Sequence, residues 1–420
     1  MIENFVKHLN QIKLGGPKVL FIKLSKSYKI LFKIIELPFV LFLYFLLKII
    51  SPIVLIRIGE LRSDKIGPAL NLELYLSEKN YFNYRRKKKS YDFFFKKKFI
   101  CNKYLFGLQK KLVTVLPNFI FETLYNLLLS RREFKYICGT SCFHEDRDIH
   151  HVLEKTKQTL KIPANDNAKG QMFLRKLGLK KNSKFVLFHV RDKAYYNFKP
   201  ASDFRNADIK NYIPAIKYLL SKGYFVFRVG AKVEKKLNIK HKNFFDYASN
   251  GARTDFLDIF LALKCFFCVT SGSGYDQIPV CARKPVVHTN MAPIGYFWSW
   301  YKKSLSIFKY YYDFKTNKKL SLTEINNLAL SEALNTQYYI LKGVYLKENQ
   351  PREIKDVVIE MERRLNKKWK EKKINKKLHK KFWNLINSKA KGINGIRLHN
   401  KFLSKIGYNF LLSNKKIFLK

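Results

Sequence analysis

Between residues 183 and 290, apolar runs of strand length alternate with helix-patterned stretches, and each run ends in charged or small polar residues. Phe185-Val186-Leu187-Phe188-His189-Val190 leads into Arg191-Asp192. Tyr224-Phe225-Val226-Phe227 leads into Arg228-Val229-Gly230, and Phe266-Phe267-Cys268-Val269 into Thr270-Ser271-Gly272-Ser273-Gly274-Tyr275-Asp276. Between the first two runs, Ile213, Ile216, Leu219 and Leu220 recur at helical spacing, and Ser221-Lys222-Gly223 supplies a stop. Residues 255–263 form a second helical stretch. Strands alternating with helices at this spacing predict a parallel, doubly wound α/β sheet. Ligands of such sheets sit beyond the carboxyl ends of the strands.

The loop Ser271-Gly272-Ser273-Gly274 falls at one such end. Without bulky Cβ groups, backbone N–H groups can approach an anion, and a following helix N-terminus adds a favourable dipole. A phosphate or diphosphate suits that place, although a tight loop without a ligand fits the same residues. Arg191, Arg205 and Arg228 stand out in a chain where lysine dominates the basic residues. The planar guanidinium fork binds two phosphate oxygens at once; a surface ion pair is the competing reading for each. Asp276 is placed either to bind a ribose or sugar hydroxyl or to cap a helix.

The chain has 420 residues, enough for two domains with extensions, and carries a net charge of +51. Such charge fits a polyanion partner or the drift of an AT-rich genome, which also enriches Asn, Ile, Phe and Tyr. The basic residues are widely spread and no module with interleaved base-stacking aromatics is visible, so a nucleic-acid partner is not expected. Cys265-Phe266-Phe267-Cys268 has redox or zinc spacing, but it lies in a strand-like run with no completing Cys or His pair, so reduced buried thiols are expected.

Residues 1–35 hold seven lysines and one glutamate, and residues 37–56 are apolar apart from Pro38, Lys48, Ser51 and Pro52. A mid-segment lysine costs roughly 2.5–3.5 kcal/mol on insertion scales. Residues 27–49 are therefore expected to form an interfacial or membrane-embedded helix, with an ordinary buried helix as the alternative. Lysines flanking it suit an anionic cytoplasmic leaflet. Arg85-Arg86-Lys87-Lys88-Lys89 and Lys96-Lys97-Lys98 surround aromatics and suit the same surface. Expected boundaries are a membrane-associating segment at 1–50, Rossmann-like domains at 51–165 and 166–345, and a basic helical extension at 346–420. Trp369 and Trp383, fourteen apart, are expected on one helix face.

His189-Val190-Arg191-Asp192, Phe204-Arg205-Asn206-Ala207-Asp208, Arg228-Val229-Gly230 and the residue 271–276 loop together resemble a family of bacterial glycosyltransferases with GT-B-like architecture. Arg57-Ile58-Gly59-Glu60-Leu61-Arg62-Ser63-Asp64-Lys65-Ile66-Gly67 and Phe143-His144-Glu145-Asp146-Arg147-Asp148 fit it too. Pro68 departs from the histidine such sequences carry there. The resemblance spans most of residues 55–345. It implies two Rossmann-like domains facing a cleft, a nucleotide-sugar donor held in the second, and a glycan or lipid-linked acceptor at the first. It further implies a membrane-facing surface that reaches a lipid-linked acceptor. The reduced cysteines and flanking lysines put the expected location at the cytoplasmic side of an inner membrane, and no cofactor beyond the donor is expected. With no Asp-X-Asp clamp in a strand-end loop, metal independence is expected. The diphosphate then falls to Arg191 and residues 271–274, with Arg228, Arg205 and Asn206 as further donor or acceptor contacts. An inverting transfer needs a general base near the acceptor. Asp64 is the candidate, with capping of a helix at 65–76 as its other reading and Glu60 and His189 as alternatives. A nucleotide-sugar epimerase of related architecture and a non-catalytic basic binding protein are the competing functions.

Overall fold

The three apolar runs become neighbouring strands because each has enough β-branched and aromatic residues to be buried on both faces. A computed structural model, described over residues 2–82, 89–139, 147–195, 200–387 and 402–420, parts the chain into two units. The basic run at 85–88 and the motif residues Phe143, His144, Glu145 and Asp146 lie outside the described residues.

One unit comprises Met1–Leu61, Arg85–Lys98 and Val113–Cys138. Its parallel sheet has three strands in the order β1 (Val54–Leu61), β2 (Lys89–Lys96), β3 (Thr114–Leu116). Before them runs a helix from Ile2 to Ile50, broken at Gly16 by a backbone φ of 61°. Val40, Tyr44 and Leu47 of this helix are buried, and Glu36 accepts from Thr123 Oγ1 at 2.9 Å on the helix Phe121–Ser130. The opposite side carries Phe39, Phe42, Phe45 and Ile49, each more than half exposed. No helix among the described residues is long and apolar enough to cross a membrane.

The other unit comprises Arg62–Tyr84, Phe99–Leu112 and Gly139–Lys420. Its strands are β4 (Phe185–His189), β5 (Phe225–Val229), β6 (Phe244–Phe245), β7 (Phe267–Thr270), β8 (Val286–Met291), β9 (Ser304–Phe308), the antiparallel pair β10 (Tyr310–Asp313) and β11 (Val344–Lys347), and β12 (Lys405–Ile406). All but β10 and β11 form one seven-stranded parallel sheet in the order β12-β9-β8-β7-β4-β5-β6. Alternation along β4 divides its side chains between two cores. Val186 and Phe188 join Ile216 and Leu219 of the helix Ile213–Ser221 on one face. Phe185 and Leu187 join Phe260 and Leu261 of the helix Asp255–Lys264 on the other.

The tail differs from the expected helical extension. Its helices Pro351–Leu365 and Lys373–Asn387 are separated by a link that holds Trp369, so the two tryptophans do not share a helix face. Trp383 instead stacks on Phe402 at 4.1 Å, and β12 extends the sheet beside β9. The expected helix at 65–76 begins later, spanning Ala69–Tyr81. Gly67 and Pro68 delay it, since both disfavour helix interiors.

Candidate functional site

The strand order reverses beside β4. From there the chain proceeds through β5 and β6 to one edge, and through β7, β8, β9 and β12 to the other. Such a switch point leaves a crevice where the loops part. His189 pairs in register with Thr270, so the loops bearing Arg191 and Ser271 leave the sheet side by side.

These loops are fastened together. Arg191 N donates to Ser271 Oγ at 2.9 Å, and Ser273 Oγ lies 3.1 Å from His189 Nδ1. The His189 ring stacks on Tyr275 at 5.0 Å. Burial, aided by the charges of Arg191 and Arg228, pushes its pKa down to about 4, which leaves the imidazole neutral. Gly272 has a φ of +80°, and a Cβ there would meet Met291 Sδ at 2.8 Å. Glycine is required by both the left-handed backbone and the close neighbour.

The glycine loop also meets the segment carrying Asp64. A Cβ on Gly67 would lie 2.9 Å from Gly274 Cα, so these two backbones touch with no room for a side chain between them. Asp64 is half-buried and its Oδ1 has no hydrogen-bond partner. It does not cap the helix Ala69–Tyr81, whose N-cap is Pro68. Of the alternative bases, Glu60 is paired with Lys97 Nζ at 2.6 Å, and His189 is occupied as described.

The loop's backbone donors turn inward. Ser271 N reaches the His189 carbonyl at 3.3 Å, Gly272 N reaches Thr270 Oγ1 at 3.2 Å, and Ser273 N reaches Asp276 Oδ2 at 2.8 Å. Tyr275 N bonds Ser273 Oγ at 3.2 Å, completing a capping box with Asp276. The helix that follows, Gln277–Cys281, is one short turn. The expected cradle of N–H groups and helix dipole is thus largely replaced by a rigid turn.

Asp276 is the cap rather than an exposed hydroxyl acceptor: it is 1% exposed, and burial raises its pKa to about 7. Arg205 lies near enough that its charge pulls that value back in part. Asn206 turns its side-chain amide to Asp203 Oδ1 at 2.9 Å. Arg228 is 1% exposed beneath the crevice, where Nη1 donates to the Lys235 carbonyl and to Asp246 Oδ2 at 3.3 Å. It holds the framework of these loops rather than facing the crevice.

Lys309, 4% exposed just after β9, was not apparent among the many basic residues, although its place after the apolar run Ile307-Phe308 is the same signal that marked Arg191. Arg283 is a second such residue. Its guanidinium binds Glu73 Oε1 at 2.8 Å, Ser77 Oγ at 3.1 Å and the Leu153 carbonyl at 2.8 Å. It thereby ties the helix that follows Gly67 to the end of the segment that follows the glycine loop.

No protein-family model and no curated protein sequence matches the chain. Among solved structures it is similar to the ADP-heptose LPS heptosyltransferase II of E. coli, at a TM-score of 0.36 and 15% identity over 60% of this chain and 90% of that one. It is also similar to a glycosyl transferase family 9 protein of Veillonella parvula, at 0.38 and 14% over 60% and 85%. A third is the UDP-GlcNAc 2-epimerase of Methanocaldococcus jannaschii, at 0.28 and 10% over 61% and 89%. At these scores the functional reading rests on the chain's own residues: a mixed α/β protein with parallel sheets, in which Arg191 lies beside the loop of residues 271–274 at the switch point of the larger one.

Proposed function

We propose that this protein is a metal-independent glycosyltransferase that moves a sugar from a nucleotide-sugar donor to a surface polysaccharide or glycolipid acceptor. The observation that carries the reading is the pairing of His189 with Thr270 at the switch point, which sets Arg191 beside the loop of residues 271–274. In the proposed reaction Asp64 accepts the acceptor's hydroxyl proton. The acceptor oxygen forms a bond to the anomeric carbon, and the anomeric C–O bond to the diphosphate breaks. The nucleoside diphosphate leaves with that electron pair, its growing charge met by Arg191 and Arg205.

The test is a panel of nucleotide sugars with purified protein, with and without chelator, read as thermal shift and donor turnover. One donor is expected to stabilise the protein and to turn over equally in both conditions. An Arg191→Ala variant is expected to bind that donor about ten- to a hundredfold more weakly, the worth of one or two charge-assisted hydrogen bonds. Undiminished affinity in that variant removes the central contact, and the absence of any stabilising donor removes the reading.

Membrane association at the cytoplasmic side is part of the same proposal. It is supported by the outward Phe39, Phe42, Phe45 and Ile49 on a helix whose other side is buried. An apolar outer stripe with basic flanks suits the lipid interface. In vesicle sedimentation the protein is expected to bind anionic vesicles, and a Phe42→Glu, Phe45→Glu variant to bind several-fold less. Equal binding by that variant would assign the attraction to charge alone.

A further inference from the structure

Lys309 joins three parts of the crevice. Its backbone N–H donates to the Met291 carbonyl at 3.1 Å, and Met291 Sδ is the atom lying against Gly272. Its ammonium donates to the Asn206 carbonyl at 2.5 Å. The next two residues of that loop are also fixed: Ala207 N donates to the Arg191 carbonyl at 2.9 Å, and Asp208 N to Glu348 Oε2 at 2.9 Å. Glu348, the acid whose charge reaches Lys309, is occupied by Asp208 and by Asn211 Nδ2 at 3.0 Å. The ammonium is therefore buried on one carbonyl with no ion-pair partner among the described residues, close to the like charge of Arg191. A buried cation held this way is costly until an anion compensates it.

We propose that Lys309 is a positioning residue of the diphosphate site, fixing the loop that presents Arg205 and adding a buried positive charge that the donor's diphosphate neutralises. This rests on the diphosphate reading above. Burial pushes the lysine's pKa down to about 8; Glu348 opposes the shift and Arg191 adds to it. The folded value lies below the 10.5 of free lysine, so the charge costs stability in full below about pH 8, and the cost fades as pH rises from there towards 10.5. Anion binding runs the other way, strongest where Lys309 is charged. The other charges that reach it are those of Arg191 and Glu348.

Calorimetric titration with ADP, UDP and GDP from about pH 7.5 to about 9.5 separates the possibilities, because the diphosphate is fully ionised across that range, and the proton that uracil and guanine lose near its upper end is common to wild type and variants. Wild-type affinity for the nucleotide that binds is expected to fall about tenfold over the range. Lys309→Met is expected to bind about tenfold more weakly at the lower pH, to lose the part of the pH dependence that Lys309 supplies, and to keep or raise its melting temperature there, since the cost of the buried charge is gone. Lys309→Arg is expected to restore affinity without the alkaline decline. A merely structural lysine gives a Met variant that loses stability first and a wild type with a flat profile. Nucleotide binding that is flat with pH in the wild type, or undiminished in Lys309→Met, overturns the role of Lys309 alone. Absence of binding by all three nucleotides at every pH overturns the diphosphate reading and this role with it.

Discussion

Replacing Arg283 with alanine is expected to cost about 3–5 kcal/mol of stability, the range for breaking a buried ion pair from one side. Glu73 is 2% exposed and keeps its bonds to Thr159 N, Thr159 Oγ1 and Leu160 N, but these neutral donors do not replace a guanidinium at 2.8 Å. The same fork serves the Leu153 and Cys281 carbonyls and Ser77 Oγ, so its removal orphans acceptors in three segments at once. Arg283→Lys restores the charge but not the fork, and an intermediate loss is expected. Urea unfolding with an unchanged m-value measures the effect. A loss below about 1 kcal/mol would mean that the bonds to Thr159 and Leu160 suffice to hold the Glu73 carboxylate. Because the helix Ala69–Tyr81 starts just after Gly67, loosening it is also expected to loosen the contact between Gly67 and Gly274 that shapes the site.

The central strands were legible because five-residue runs such as Phe185-Val186-Leu187-Phe188-His189 have no solvated face, and a parallel sheet is the structure that buries both. The positions of Arg191 and Ser271 followed from the strand ends. What was not legible is where local signals carried two meanings. Ser273-Gly274-Tyr275-Asp276 reads as a phosphate loop and equally as a capping box, and the capping box forms because its partners are three residues apart and need no ligand. Asp64 looked like a helix cap, but Gly67 and Pro68 break the turn before a helix can start there. Arg228 and Lys309 have the same place in the pattern as Arg191. All three are buried, and what sets Arg228 and Lys309 apart is the partners of their side chains, as distant in sequence as Asn206 is from Lys309. Arg283 and Glu73 lie farther apart still, beyond any local pattern. The tail was legible as helical and basic, but the burial of its last stretch in the main core, through Ile406, Phe410, Leu411 and Phe418, was not.

Asp64→Asn is expected to lower turnover about 10²- to 10⁴-fold in an inverting transfer, the usual contribution of a positioned general base. The substitution keeps the shape but replaces one acceptor oxygen by an NH2 donor and removes the negative charge, and with it the ability to take a proton. Donor affinity is therefore expected to stay within about twofold, since the diphosphate contacts are assigned to Arg191 and Arg205. Three features favour Asp64 over its rivals. Its Oδ1 is buried without a hydrogen-bond partner, so no hydrogen bond within the protein has to break for it to take a proton. Glu60 is already engaged by Lys97, which also holds Glu122. His189, held neutral with a pKa of about 4, is a poor base and its Nδ1 is engaged with Ser273. The thiol of Cys101 does not compete, because burial and the Asp64 charge push its pKa up to about 11. Single-turnover rates with the donor identified by the panel decide the matter. If Asp64→Asn keeps more than about a tenth of the wild-type rate while Glu60→Gln loses it, the base lies before the glycine contact rather than on it. If both variants keep the rate, the transfer proceeds without a base on this segment, as in a retaining mechanism.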